Sequence, residues 1–141
     1  MNKEFIPYEQ ALALKELGFD EPCFAFYQVE YHEKLPVMVD DDDQYRISGF
    51  RTCKNSEIPN HYTASPTYSQ AFRWFREKYG LHPHFCFFTD EKLWNVDIYA
   101  YLKEYGLKTD PCTMKFKTYE EAEYACLNKL IEIVKSNMDI I

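Results

Sequence analysis

The chain has little glycine and lacks the motifs that cradle phosphate groups or position a hydrolytic serine. Its 141 residues include 4 glycines. No G-x-G-x-x-G, P-loop or G-x-S-x-G pattern occurs in it. These absences exclude the common phosphate-binding loops. An enzyme therefore remains an alternative interpretation rather than the leading one, and no catalytic residue is assigned.

The cysteines lack the spacing of a zinc site or of a disulfide framework. They are Cys23, Cys53, Cys86, Cys112 and Cys126, an odd number without a C-x-x-C pair. We therefore expect reduced thiols in a cytoplasmic protein. Cys126 falls on the apolar stripe of a predicted helix, and we expect it to behave as a small buried hydrophobic side chain.

One short cluster has the residue types that bind metals, but it lacks a complete ligand set. On a strand, His82, His84 and Cys86 would point to the same face. Pro83 disturbs strand pairing, however, and no distant Cys/His pair supplies a fourth ligand. We predict neither a metal site nor a cofactor, and we interpret the histidines as incidental to the start of a strand.

Long hydrophobic runs and basic blocks are also missing. No apolar run approaches the roughly 20 residues that span a bilayer, and the first residues lack the apolar segment of a signal peptide. The formal net charge is −7, which is poorly suited to binding nucleic acid through its phosphates. These features predict a cytoplasmic protein without a membrane partner, and they suit a partner with a basic surface.

Asp40 to Asp43 form an acidic run that raises the question of calcium. An EF-hand loop needs a glycine at its sixth position, and counting from Asp40 places Tyr45 there. We interpret the run as part of a solvated acidic loop. It opens a loop-rich segment at 40–66, and ordered loops of that length are often functional.

Capping residues predict where the helices begin. Thr67 and Thr118 are each followed three residues on by Gln70 or Glu121, the pattern of a capping box. The predicted helices span about 7–17, 68–79 and 119–136, and glycines at 18 and 80 end the first two. The last two helices share an apolar stripe at the same offsets. We prefer the interpretation that the two helix starts converged on the same capping residues. Internal duplication is the alternative.

Aromatic and β-branched residues predict the strands. They fall at about 23–31, 84–89, 93–102 and 113–116, with 35–39 able to pair back with the first and a short strand at 45–50. We therefore predict one α+β domain over residues 1–141, with a largely antiparallel sheet covered by three helices in the order α-β-β-α-β-β-β-α. From residue 67 onward the predicted order is α-β-β-β-α, which is also the order of double-stranded-RNA-binding modules. The first turn of the last helix in this chain, however, carries three glutamates that would repel phosphates.

The second helix carries a candidate interaction surface. Trp74 lies about 120° from the centre of the apolar stripe, and tryptophan and arginine often anchor protein interfaces. If Trp74 is such an anchor, it should be exposed. The preferred interpretation is that Trp74 packs under a neighbouring loop while the arginines pair with the acidic N-terminal half. The complete candidate surface is Gln70, Arg73, Trp74, Arg76 and Lys78.

Several segments together resemble a known family. They read FIPYEQA at 5–11, LGFDEPC at 17–23, AFRWFREKYG at 71–80, TYEEAE at 118–123 and LIEIVK at 130–135. In these segments the chain resembles small proteins of Bacteroides-type gut bacteria and their phages or prophages. The resemblance covers most of the chain outside the strands and the long loop. It implies a bacterial host cytoplasm and a mobile-element setting, but no activity or active site.

The leading expectation is a non-catalytic accessory protein that binds another protein, with self-association left open. The first alternative is a small enzyme or small-ligand binder that uses the 40–66 segment. The second alternative is an association with nucleic acid, which the acidic charge disfavours. The sequence names neither the partner nor the oligomeric state.

Overall fold

The computed structural model describes residues 3–28, 36–38, 52–102 and 106–138. Within them lie three helices and six strands. In chain order these are α1 (Tyr8–Glu16), β1 (Ala25–Gln28), β2 (Val37–Met38), β3 (Tyr62–Ser65), α2 (Tyr68–Tyr79), β4 (Leu81–Phe88), β5 (Leu93–Leu102), β6 (Gly106–Phe116) and α3 (Tyr119–Met138). The predicted α+β class and element order are confirmed. Strand β3 is an addition, and it lies in the segment that was predicted to be a loop.

The strands form two antiparallel sheets of three strands each, ordered β2-β1-β3 and β4-β5-β6. The chain correspondingly divides into two compact units, a first unit at 1–68 and a second unit at 69–141. The prediction of a single domain concerns how these units fold together, and it stays a prediction. Three predicted features fall outside the described residues: the acidic run at 40–43, the strand at 45–50 and the side chain of Cys112.

The first unit places α1 beside a sheet of short strands. Gly18 follows α1 with a φ of +94°, a conformation that glycine adopts without strain. There the chain reverses, and the Phe19 N–H donates to the Leu14 carbonyl at 2.9 Å. β1 pairs with β2 on one side and with β3 on the other. The predicted return of 35–39 onto the first strand is therefore confirmed in β2.

The second unit is built around a long hairpin. β4 and β5 pair without interruption from Leu81–Ala100 to Phe88–Leu93, and Lys92 closes the turn with a φ of 56°. Pro83 lies inside β4, opposite Ile98. A strand at the edge of a sheet tolerates proline because half of its N–H groups have no partner strand. β4 therefore begins at Leu81, before both histidines, rather than at His84 as predicted. The other edge strand, β6, contains Pro111.

Both helices of the second unit bury most of the stripe predicted from their sequence, although Tyr119, the first residue of the stripe in α3, is exposed. In α2 the buried residues include Ala71, Phe72 and Phe75. In α3 they include the predicted Ala122, Cys126, Leu130 and Val134, together with Leu127. The Thr118 Oγ1 accepts a hydrogen bond from the Glu121 N–H at 3.1 Å, which confirms the predicted cap. Among the described residues, no helix is both long enough and apolar enough to cross a membrane.

Candidate interaction surface

Trp74 is buried, which contradicts the anchor hypothesis that requires an exposed ring. Its side chain retains 6% of its accessible surface. The indole ring packs edge-on against Phe75 and Tyr79, with ring centroids 5.1 and 5.5 Å away. The Lys78 Nζ lies 5.0 Å from the centre of the indole ring. The backbone position is on the flank of α2, as predicted, but an indole is large enough to fold back over its own helix and become buried.

The other members of the predicted surface keep their accessibility. Arg73, Arg76 and Lys78 are exposed, and Gln70 is half-buried. The structure thus brings Lys78 onto the ring of Trp74 but removes that ring as an exposed anchor. A role for these polar residues in binding stays a prediction, now without the aromatic group that motivated it.

A different set of aromatic side chains is exposed, at the hairpin end of the second unit. Phe87 of β4 and Trp94 of β5 are cross-strand partners, and their ring centroids lie 5.1 Å apart. Tyr119, the first residue of α3, lies 4.9 Å from Trp94. We refer to Phe87, Trp94 and Tyr119 as the hairpin aromatic surface. Phe87 is 43% exposed and Tyr119 is 38% exposed.

This surface stands on a row of rings that leads into the core. Tyr119 lies 5.3 Å from Phe85, and Phe85 lies 5.5 Å from Phe72, which is buried on α2. Contacts of this kind stabilise aromatic pairs beyond their buried area. The exposed rings are therefore held in place by packing within the second unit.

Negative charge borders the hairpin aromatic surface. The first residues of α3 include Glu120, Glu121 and Glu123, against Lys117 just before the helix. Burial, together with a smaller contribution from the nearby Glu120, raises the pKa of Glu123 to about 7. Burial also raises the pKa of Tyr119, with a smaller contribution from Glu123. At neutral pH this border is acidic, and part of that charge can be titrated.

The opposite face of the same hairpin is polar. As predicted, His82, His84 and Cys86 occupy alternate positions of one strand, opposite Tyr99, Asp97 and Asn95. The Asn95 Nδ2 donates to the Asp97 Oδ2 at 2.9 Å, and the His84 and Tyr99 rings lie 6.0 Å apart. Within the described ranges, no group of three or more His, Cys, Asp or Glu side chains is arranged to hold a metal ion.

The hairpin aromatic surface was missed in the sequence, although a signal for it was present. A four-residue turn at 89–92 joins two strands, so the register follows from the turn, and Phe87 falls opposite Trp94 on one face. The closeness of Tyr119 depends on how α3 packs on the sheet, and no local pattern predicts that.

Comparison with protein-family models, with curated proteins and with solved structures finds no match for this chain.

Proposed function

We propose that the chain is a small non-catalytic protein that binds another protein through the hairpin aromatic surface. The observation that carries the proposal is the set of three contacting rings, two of them more than a third exposed. Tyrosine, tryptophan and phenylalanine are enriched in the buried centres of protein interfaces. A few such residues commonly supply most of the binding energy.

The charge around the rings supports a particular kind of partner. The whole chain carries a net charge of −7, and glutamates outnumber lysine beside Tyr119. The complementary surface is an apolar pocket bordered by lysine or arginine side chains. Complementary charge of this kind accelerates association and disfavours wrong partners. Nucleic acid lacks such an apolar pocket, and its phosphates would be repelled.

The proposed setting is the cytoplasm of a bacterial host during a phage or mobile-element programme. Support for this setting comes from the resemblance of the five segments to small proteins of gut bacteria and their phages. An accessory protein of this kind works by occupying a surface of its target, so it needs no catalytic group. Self-association through the same rings is the competing outcome of the binding experiment.

The experiment compares exposed aromatic residues in the two units. A tagged chain is used to capture a partner from the native host, and the affinity is then measured with purified proteins. We expect Phe87→Ala or Tyr119→Ala to weaken binding at least tenfold, because truncating an interface anchor costs about 2 kcal/mol or more. Phe24→Ala is the matched control, because Phe24 is 55% exposed but lies in the first unit.

Two further measurements test the charge of the partner surface and the choice between a different protein and a second copy of this chain. Replacing Glu120 and Glu121 with glutamine should lower the association rate and weaken its dependence on salt, since surface charges act mainly on the encounter. Equal binding by the Phe87→Ala and Phe24→Ala variants would contradict the proposed surface. Concentration-dependent dimerisation that Phe87→Ala abolishes would show that the partner is a second copy.

A further inference from the structure

Cys23 and Cys53 face each other across an antiparallel bridge in the first unit. The N–H of each residue donates to the carbonyl oxygen of the other, and both bonds are 2.8 Å long. In such a hydrogen-bonded pair the Cα atoms are about 5.5 Å apart. The two side chains lie on the same face of the ladder. The bridge therefore brings two thiols together from positions far apart in the sequence.

Both thiols are enclosed by the protein in the reduced state. Cys23 and Cys53 are buried, and each Sγ–H points to a backbone carbonyl, that of Glu21 at 3.4 Å and that of Ala25 at 3.7 Å. Burial is the main cause that raises the pKa of both thiols, that of Cys53 to about 12. A negative charge on Cys53 further raises the pKa of Cys23, as expected for two close sulfur atoms.

We propose that Cys23 and Cys53 form a reversible disulfide when the protein meets a low-molecular-weight disulfide. Disulfides span Cα separations of about 4.4–6.8 Å, which includes the separation in this bridge. Their Cβ atoms must come within about 4.5 Å, whereas a hydrogen-bonded cross-strand pair holds them at about 5.5 Å. Closure therefore needs a shift of about 1 Å. The pair is an isolated bridge rather than part of a long ladder, so few backbone bonds oppose that shift.

The chemistry consists of two exchange steps with one external oxidant. Local opening of the isolated bridge first exposes Cys53 to solvent. Cys53 then loses its proton, and its thiolate attacks one sulfur of the small disulfide, whose S–S bond breaks and releases one thiol. The Cys23 thiolate then attacks the Cys53 sulfur and displaces the second thiol. The protein loses two electrons and two protons, and the reagent is reduced to two thiols. A dithiol reductant reverses both steps.

The proposed disulfide is reversible rather than permanent. Its required backbone shift adds strain, and strained disulfides are more easily reduced than relaxed ones. The bond closes a loop of about 30 residues, which restricts the unfolded chain. It would tie the residues that lead into β1 to the segment that precedes β3. Because no step involves the hairpin aromatic surface, this proposal is independent of the proposed function.

The test uses the intact chain and oxidised glutathione. Native protein is equilibrated with excess reagent, the remaining thiols are alkylated, and the disulfide-linked peptides are mapped by mass spectrometry. We expect one internal linkage between Cys23 and Cys53, lost on treatment with dithiothreitol. Cys126→Ala should leave the linkage intact, because Cys126 is buried in the second unit. Cys53→Ala should leave Cys23 reduced or joined to glutathione.

Two outcomes would overturn the proposal. One is the recovery of both cysteines in alkylated form after equilibration with the oxidant. The other is a linkage that forms only in denaturant, with several cysteine pairs at once. The map of the unmodified chain decides the matter even if Cys53→Ala does not fold.

Discussion

The two units are stabilised in different ways. In the first unit, side chains satisfy the backbone of irregular segments. The Tyr27 hydroxyl donates to the Ile6 carbonyl at 2.6 Å, and the Lys15 Nζ donates to the carbonyls of Asn60 and Tyr62 at 2.7 and 2.9 Å. In the second unit, long strands pair with one another and two helices bury apolar stripes.

This difference explains why the elements of the second unit are easier to predict from the sequence than those of the first unit. A stripe with helical period and an alternating strand are local patterns, and both are present in the second unit. A hydrogen bond such as that from Lys15 to Tyr62 joins residues 47 positions apart, and no periodicity records it.

Trp74→Ala should lower the free energy of unfolding by about 3–5 kcal/mol, because it removes a buried indole and leaves a cavity. Chemical denaturation followed by circular dichroism measures the change. Arg76→Ala on the same helix is the control, since Arg76 is exposed and its loss should cost little. A Trp74→Ala protein of normal stability would restore the exposed-anchor interpretation of α2.

Leu130→Ala should cost about 2–5 kcal/mol, because Leu130 is fully buried in the stripe of α3. Lys135→Ala, at an exposed position of the same helix, is the matched control. If the denaturation midpoint of Leu130→Ala were unchanged, α3 would not belong to the core of the second unit.

Asn55→Ala tests the polar mode of stabilisation in the first unit. The Asn55 Nδ2 donates to the Phe19 carbonyl at 2.9 Å, and its Oδ1 accepts from the Ala64 N–H at 2.8 Å. Losing both bonds should cost about 2 kcal/mol, because two backbone groups lose their partner. Ser56→Ala is the control, since only the Ser56 backbone N–H bonds Asp20. Equal stability of the two variants would mean that solvent replaces the amide.

Glu123→Gln should give the smallest effect, and one that depends on pH. The folded-state pKa of Glu123 is raised from 4.5 to about 7, so the folded chain holds this proton more tightly than the unfolded chain. Its stabilising contribution is present below pH 4.5 and is lost as the pH rises through 7. The variant should therefore match the natural chain at pH 4. At pH 8 it should be more stable by about 1 kcal/mol, a value reduced for solvent screening.

The control for this titration is Glu77→Gln, because Glu77 is exposed on the other helix of the same unit. Thermal unfolding at several pH values gives both curves. A constant difference between Glu123→Gln and the natural chain across this range would show that the carboxyl group titrates normally.

The sequence predicted the α2 bounds and the β5 bounds because caps and alternation mark them directly. It missed β3, whose residues Tyr62–Ser65 contain no long apolar run and become a strand by pairing with β1. The exposure that the anchor hypothesis required of Trp74 was misjudged for a related reason. A helical wheel gives the direction of a Cα–Cβ bond, but the exposure of a ring depends on what its far atoms contact. The ring of Trp74 is covered by its neighbours and is buried, whereas the ring of Tyr119 stays exposed.

The prolines at the edges of the second sheet bear on how the chain avoids aggregation. Pro83 lies within β4 and Pro111 within β6, so each edge strand lacks one N–H group within its length. An incoming strand from another molecule would lose hydrogen bonds at either edge. Proteins that expose aromatic side chains beside an unpaired edge strand are prone to fibril formation. In this sheet the two prolines therefore disfavour pairing of either edge strand with another molecule.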